Sequence, residues 1–288
     1  MSVGAFRISP ISPTHGTLLM PSSSTSTFGT FVRETVSNLI APFRKEYKNW
    51  PWTEIAVVSV ACVGSYTIYK LSPVLYQRFY MYSTAQYVSE YNKVLRAHKE
   101  KLFSQLETIK SSNSAKLNVV EIGVGSGANF PFYPRDIIEV VGVDPNREWE
   151  SYLTDTLKKN RHVTCPELLV GNAENISVIR ESQVDAVVST LTLSCVKDVD
   201  QVCQEVRRIL KPGGLFLYLE NIRSENIIIA LIQALFTPFY KLFYGMSLIR
   251  SIPENIERAK FTEFSQQLFY ANGITFLMAP HVVGIAKK

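Results

Sequence analysis

The sequence predicts an α/β domain over residues 116–288: a doubly wound, mainly parallel sheet with helices on both faces, preceded by an N-terminal hydrophobic anchor helix. Three observations predict it. Short continuous apolar runs, of the kind that fill buried parallel strands, alternate with amphipathic stretches of helical length. The first of these runs ends in glycines at alternate positions, Gly123, Gly125 and Gly127, which let the backbone turn sharply and a ligand approach without any Cβ in the way. The second ends in an acid, Asp144, about 20 positions after the glycine loop, where doubly wound sheets bind the ribose hydroxyls of a ligand.

In chain order, residues 1–49 form a tail rich in Ser, Thr, Pro and Gly, expected to be disordered, and then a basic flank. Arg7 is the only cation before Arg33, which disfavours an organelle transit peptide. Residues 50–72 contain IAVVSVACVGSYTIY, uncharged between Glu54 and Lys70. This run is shorter than the ~20 residues that cross a bilayer upright. Trp50, Trp52, Tyr66 and Tyr69 sit where interfacial aromatics extend such a segment, and the run is apolar around its whole circumference. It therefore predicts a membrane anchor, either a short span or a shallow insertion. Residues 73–115 are a mixed-charge helical lead-in in which Leu95, Leu102, Leu106 and Ile109 recur near helical spacing, closed by the loop SSNSA.

Within the domain, residues 117–122 and 136–144 are the first two strands. DPNREWESYLTDTLKKN is a helix whose last turn carries Lys158 and Lys159, where cations suit the dipole. HVTCPELLVGNAENI holds a third strand followed by Gly171, Asn172, Ala173 and Glu174, and residues 184–189 are the fourth. VDQVCQEVRRIL is an amphipathic helix, Lys211-Pro212-Gly213-Gly214 a turn, and LFLYLE the fifth strand. The second long apolar run, residues 226–246, has two readings: a core-covering helix broken near Pro238, or an apolar lid over a ligand pocket that touches a bilayer.

Composition narrows the partners. The chain is 46% hydrophobic and 19% charged, which is apolar for a cytosolic enzyme. Its net charge of +5 is spread out, with no basic stripe interleaved with aromatics, so nucleic acid is not expected as a partner. Cys62, Cys165, Cys195 and Cys203 form no C-x-x-C pair and have no histidine cluster nearby, so no metal site is expected and the thiols read as reduced and buried.

The glycine spacing separates two cofactors. A dinucleotide calls for G-x-G-x-x-G, whereas here the spacing is G-x-G-x-G with Glu121 two residues ahead. With GNAE after the third strand and KPGG before the fifth, this is the pattern of class I S-adenosylmethionine-dependent methyltransferases. More narrowly, KLFSQL, EIGVGSGANFPFYP, GVDPN, LKKNRHV, DAVVSTLTLSCV, QEVRRILKPGG and PHVVGIAKK resemble the microsomal thiol S-methyltransferases, the methyltransferase-like seven group. The chain departs from that family at Val124 and Ser126, over residues 220–261, and in its long tail.

The resemblance implies a seven-stranded Rossmann-like sheet, S-adenosyl-L-methionine as cofactor, and a small lipophilic acceptor, most readily a thiol. It also implies attachment through the N-terminal segment to membrane lipid at the cytosolic face of the endoplasmic reticulum or of lipid droplets; a mitochondrial location is the alternative. On the resemblance, Gly123, Gly125 and Gly127 lie under the methionine portion and Glu121 supports the loop near the amino group. Asp144 takes the ribose, Asn172, Ala173 and Glu174 follow the adenine edge, and Thr190 and Leu191 face the reacting methyl. His281, which opens the final strand, is the one candidate for assisting catalysis; His98 and His162 carry no role. Two alternatives stand beside this reading: an O- or C-methyltransferase of a lipid or quinone, and a non-catalytic membrane or lipid-droplet protein retaining the fold.

Overall fold

The computed structural model describes residues 72–109, 116–135, 138–165 and 168–288, with single positions between 59 and 70. The predicted tail, 1–49, and most of the predicted anchor, 50–72, lie outside the described residues. The anchor positions described between 59 and 70, Val63 and Thr67 among them, are helical. The chain from Cys62 to Lys288 forms one compact unit.

The described part of the lead-in, residues 73–109, is largely helical, and residues 110–115 lie outside the described residues. Helix α1 (Pro73–Val94) starts on Ser72, whose hydroxyl accepts from the Leu75 amide at 3.4 Å, with proline at the first helical position. Helix α2 (Arg96–Phe103) follows after Leu95 and runs into a 3-10 turn, Ser104–Thr108. Leu95, Leu102, Phe103 and Leu106 are buried, so the lead-in belongs to the core of the same unit.

Seven strands then form one sheet: β1 (Leu117–Ile122), β2 (Ile138–Asp144), β3 (Leu168–Val170), β4 (Val184–Thr190), β5 (Leu210–Asn221), β6 (Glu263–Tyr270) and β7 (Pro280–Lys287). Their order across the sheet is β3-β2-β1-β4-β5-β7-β6. Strands β1 to β5 pair in parallel, and β7 runs antiparallel to both of its neighbours. The central strands explain their near-continuous apolar sequence by burial on both faces: Val119, Val120, Ile122, Ala186, Val187 and Val188 are all inaccessible.

Helices α3 (Trp149–Lys159) and α4 (Val199–Ile209) occupy the predicted segments. In α4, Val199, Val202, Cys203, Val206 and Ile209 fall on one face and are buried against the sheet, each aliphatic side chain contributing about 1.5–3 kcal/mol. Its N-cap, Asp198, accepts from the Gln201 amide at 3.1 Å. Asp198→Ala is expected to cost about 1 kcal/mol, read as a melting temperature lower by a few degrees with donor affinity unchanged.

Two predicted breaks are absent. Lys211-Pro212-Gly213-Gly214 does not separate α4 from the fifth strand; it is absorbed into β5, with a register shift opposite Val184 and Ala186, and Gly213 takes φ +77°. Nor does Pro238 break the second apolar run, which forms the continuous helix α5 (Ile227–Tyr244). The helix is held to the domain by side chains in the turn ahead of the proline. Gln233, fully buried, donates to the carbonyls of Ile222 and Leu277 and accepts from the Ser224 amide, while the Thr237 hydroxyl donates to the Gln233 carbonyl. Helix α6 (Ile252–Arg258) packs on α4.

Candidate functional site

The strand order reverses between β1 and β4, and the crevice outside the carboxyl ends of such strands is where doubly wound sheets bind ligands. A cleft of about 310 Å³ opens there. Its walls bring together Gly123, Gly125, Asp144, Asn172, Ala173, Glu174, Thr190 and Leu191, which are residues from four separate stretches of the chain.

The glycine loop is shaped for a ligand. Gly123, Gly125 and Gly127 all have positive φ, at +68°, +49° and +74°. A Cβ on Gly123 would lie 2.1 Å from the Thr192 hydroxyl, so that position requires glycine for packing. A Cβ on Gly125 would meet nothing nearer than 4.0 Å; here the missing side chain leaves open cleft. Gly127 does not line the cleft. Its Cβ would press on Phe130 and Leu153, so this glycine serves the close packing of the loop on α3.

Asp144 closes β2 with its carboxylate fixed by backbone amides. Oδ2 accepts from Gly125 at 3.2 Å and Oδ1 from Asn146 at 2.9 Å. Burial raises its pKa, and the two amides oppose that shift. Glu121 lies beneath the loop and outside the cleft lining, almost wholly buried, accepting from Asn129 Nδ2 at 2.8 Å and from the Tyr133 hydroxyl at 2.9 Å. Burial pushes its pKa up to about 7 against those two hydrogen bonds and nearby Lys99. Leu191 adopts φ +56°, a conformation a branched side chain occupies only when its surroundings impose it, and such strain concentrates at functional sites. Glu174 is partly committed elsewhere: Oε1 accepts from the Lys197 and Asp198 amides at 2.7 and 3.4 Å, tying down the loop ahead of α4.

These features fit a nucleoside that carries an amino-acid chain. A backbone cradle opens at Gly125, a fixed buried carboxylate stands at a strand end, and the Trp149 ring forms part of the wall. A methyltransferase-domain family model matches residues 120–218, which include the glycine loop, Asp144, Asn172–Glu174 and Thr190–Leu191. The chain is 33% identical over 216 residues to human thiol S-methyltransferase TMT1A, covering 74% of this chain and 87% of that protein. Rat thiol S-methyltransferase TMT1B is 34% identical over 212 residues, 73% of this chain and 86% of its own length. The chain belongs to the thiol S-methyltransferase family. It is thus a class I, S-adenosylmethionine-dependent methyltransferase, and its strand arrangement agrees. The crystal structure of the CurJ carbon methyltransferase superposes with a TM-score of 0.59 at 14% identity, over 88% of this chain and 70% of that one, a likeness of fold.

His281 is not in the cleft of this methyltransferase, contrary to the catalytic part expected of it. It is fully buried at the start of β7. Nδ1 lies 2.8 Å from the Ala279 carbonyl, which can only accept, so Nδ1 carries the proton. Nε2 then accepts from Asn221 Nδ2 at 3.0 Å. Burial lowers its pKa to about 4, so the ring is neutral and both nitrogens are committed. The thiols also differ from expectation. Of the three described, none in a disulfide, only Cys203 is buried; Cys165 is half-buried, and Cys195 is exposed and lines the cleft.

Sequence reasoning missed one whole wall. Tyr80, Thr84, Ala85 and Val88 of α1 line the cleft, as do Trp149 and Asn129. Their i, i+4, i+5, i+8 spacing marks one face of α1, but nothing in it distinguishes a ligand face from a core face.

Proposed function

We propose that this methyltransferase transfers the methyl group of S-adenosylmethionine to the sulfur of a small lipophilic thiol, working at a membrane surface. The observation that carries the acceptor class is the identity to thiol S-methyltransferases along nearly their full length. The cleft chemistry supports it. No histidine lines it among the described residues, and a thiol ionises near about pH 8.5 without help, whereas an alcohol needs a base.

When bound, S-adenosylmethionine supplies an already activated sulfonium methyl. The chain's own part is therefore positioning, which makes attack effectively unimolecular. Asp144 accepts from the ribose hydroxyls with its spare lone pairs, and the Gly123–Gly125 backbone lets the methionine portion approach. Asn172, Ala173 and the part of Glu174 left by its loop contacts border the adenine. Glu121 acts from below, through Asn129. Thr190 and Leu191 face the methyl, and Tyr80, Thr84, Ala85 and Val88 of α1 form the acceptor side and exclude water. His281 holds β5 to β7 through Asn221 and takes no proton. Offered a thiol and a phenol of matched size together, the enzyme is expected to give the S-methyl product; O-methyl product alone would contradict the acceptor assignment.

Helix α5 supports the membrane part. Ile227, Ile228, Leu231, Leu235, Phe239 and Leu242 are exposed at helical spacing, with Ile227 at 70% and Leu235 at 69%, while Gln233, Thr237, Tyr240 and Phe243 face the domain. A helix fastened along one side and apolar along the other suits shallow, in-plane contact with a bilayer. In the sequence the apolar run at 55–69 precedes α1, and α1 packs on α5. The cytosolic face of the endoplasmic reticulum or of lipid droplets is the proposed location. Leu231→Lys with Leu235→Lys is expected to weaken co-sedimentation of the full chain with liposomes while leaving donor binding intact; undiminished sedimentation would remove α5 from the membrane contact.

A further inference from the structure

Lys99 is an anomaly that the methyl-transfer reading does not use. It lies on α2 in a mixed-charge lead-in, yet it is fully buried. Its Nζ donates to Asn92 Oδ1 and to Asn129 Oδ1, both at 2.6 Å, and sits 5.6 Å from the centre of the Phe132 ring. Asn92, on α1, in turn donates to the Ala128 carbonyl at 2.7 Å. Burying an ammonium is costly unless its partners are well placed, and an exposed lysine would serve a plain helix as well.

The consequence lies in how Asn129 is oriented. Its amide can be turned either way by hydrogen bonding alone, because oxygen and nitrogen are nearly the same size. The ammonium accepts nothing, so it fixes Oδ1 toward Lys99 and Nδ2 away from it. Nδ2 then gives one hydrogen to Glu121 Oε1 and the other to Thr190 Oγ1, each at 2.8 Å. A Thr190 hydroxyl that accepts from Asn129 keeps its own hydrogen for the cleft it lines.

We infer that Lys99 is a positioning residue for methyl-donor binding: through Asn129 it clamps the lead-in helices to the glycine loop and aims the Thr190 hydroxyl into the cleft. The inference rests on the methyltransferase reading of that cleft. Charge is consistent with it. Burial lowers the Lys99 pKa to about 8, and the charges of Glu121 and of Glu220, buried on β5, oppose that shift. Lys99 itself touches neither donor nor acceptor.

The test compares the full chain with three variants, by calorimetric titration of S-adenosylmethionine, donor KM against kcat, and melting temperature. Lys99→Met keeps the volume and removes the charge. It is expected to lose at least about tenfold in donor affinity, the effect of one or two hydrogen bonds to a charged group, with kcat at saturating donor changed less than KM. Lys99→Met with Glu121→Gln balances the buried charge. Its melting temperature should return toward that of the wild type while donor affinity stays low. Thr190→Val, which leaves Lys99 both partners, should reproduce the affinity loss with a smaller loss of stability than Lys99→Met. Recovery of both stability and affinity in the double variant would reduce Lys99 to charge balance and overturn the inference. Wild-type affinity in Lys99→Met or in Thr190→Val would overturn it equally. Should Lys99→Met fail to fold, the other two variants decide. A wild-type chain that binds no donor would instead overturn the underlying reading.

Discussion

Gly125→Val is expected to abolish donor binding in a chain that still folds. The valine side chain would project into the open cleft, where its Cβ meets nothing nearer than 4.0 Å, so the protein accommodates it and the ligand cannot. The φ of +49° adds strain of about 1–2 kcal/mol, which a domain of this size tolerates. Affinity for S-adenosylmethionine should fall by at least about a hundredfold, roughly 2.7 kcal/mol, in a titration of folded protein. Gly123→Ala should behave differently. Its Cβ would overlap the Thr192 hydroxyl at 2.1 Å, so the loop and the chain after β4 must shift and stability should fall together with binding. If Gly125→Val binds the donor normally, the cleft is not where the donor sits.

The second large effect is in pH dependence. With the ionised acceptor as nucleophile and no histidine lining the cleft among the described residues, kcat/KM should rise about tenfold per pH unit until the thiol's own pKa, near about 8.5 for an ordinary thiol. Acceptors with lower thiol pKa values should move the limb by the same amount. His281 should leave it alone. At neutral pH the ring is uncharged, its Nδ1 hydrogen is held by Ala279, and its Nε2 is occupied by Asn221. His281→Ala is expected to cost about 2–4 kcal/mol through the cavity and the partners left unpaired, while the surviving folded protein keeps the same limb. A limb near pH 6.5 that follows neither acceptor, and that disappears in His281→Ala, would restore the histidine as a base.

How much the sequence revealed depends on whether a residue's job is local. Gly123, Gly125 and Asp144 were legible because the turn and the strand end impose their own chemistry on a few consecutive positions, and the structure brings them to one cleft. The strands were legible because burial on both faces leaves an unbroken apolar run. KPGG and Pro238 misled, since a turn signal says nothing about whether a neighbouring strand will extend the ladder, or whether Gln233 will fasten the helix ahead of a proline. His281 misled for a related reason. A histidine at a strand start looks the same whether its nitrogens face a substrate or are taken up by Asn221 and Ala279. The α1 wall and Lys99 were illegible because their significance is entirely long-range: Lys99 reads as one more cation among KEK until the fold closes it over Asn129, thirty positions away.

The most direct test of the account is transfer itself. The purified full chain would be incubated with S-adenosylmethionine bearing a trideuterated methyl group and a small lipophilic thiol, and the product identified by mass spectrometry. The account predicts a trideuteromethyl group on sulfur, formed by the wild type and not by Gly125→Val. A chain that binds the donor but leaves the thiol unlabelled, while labelling oxygen or carbon acceptors or none, would contradict it.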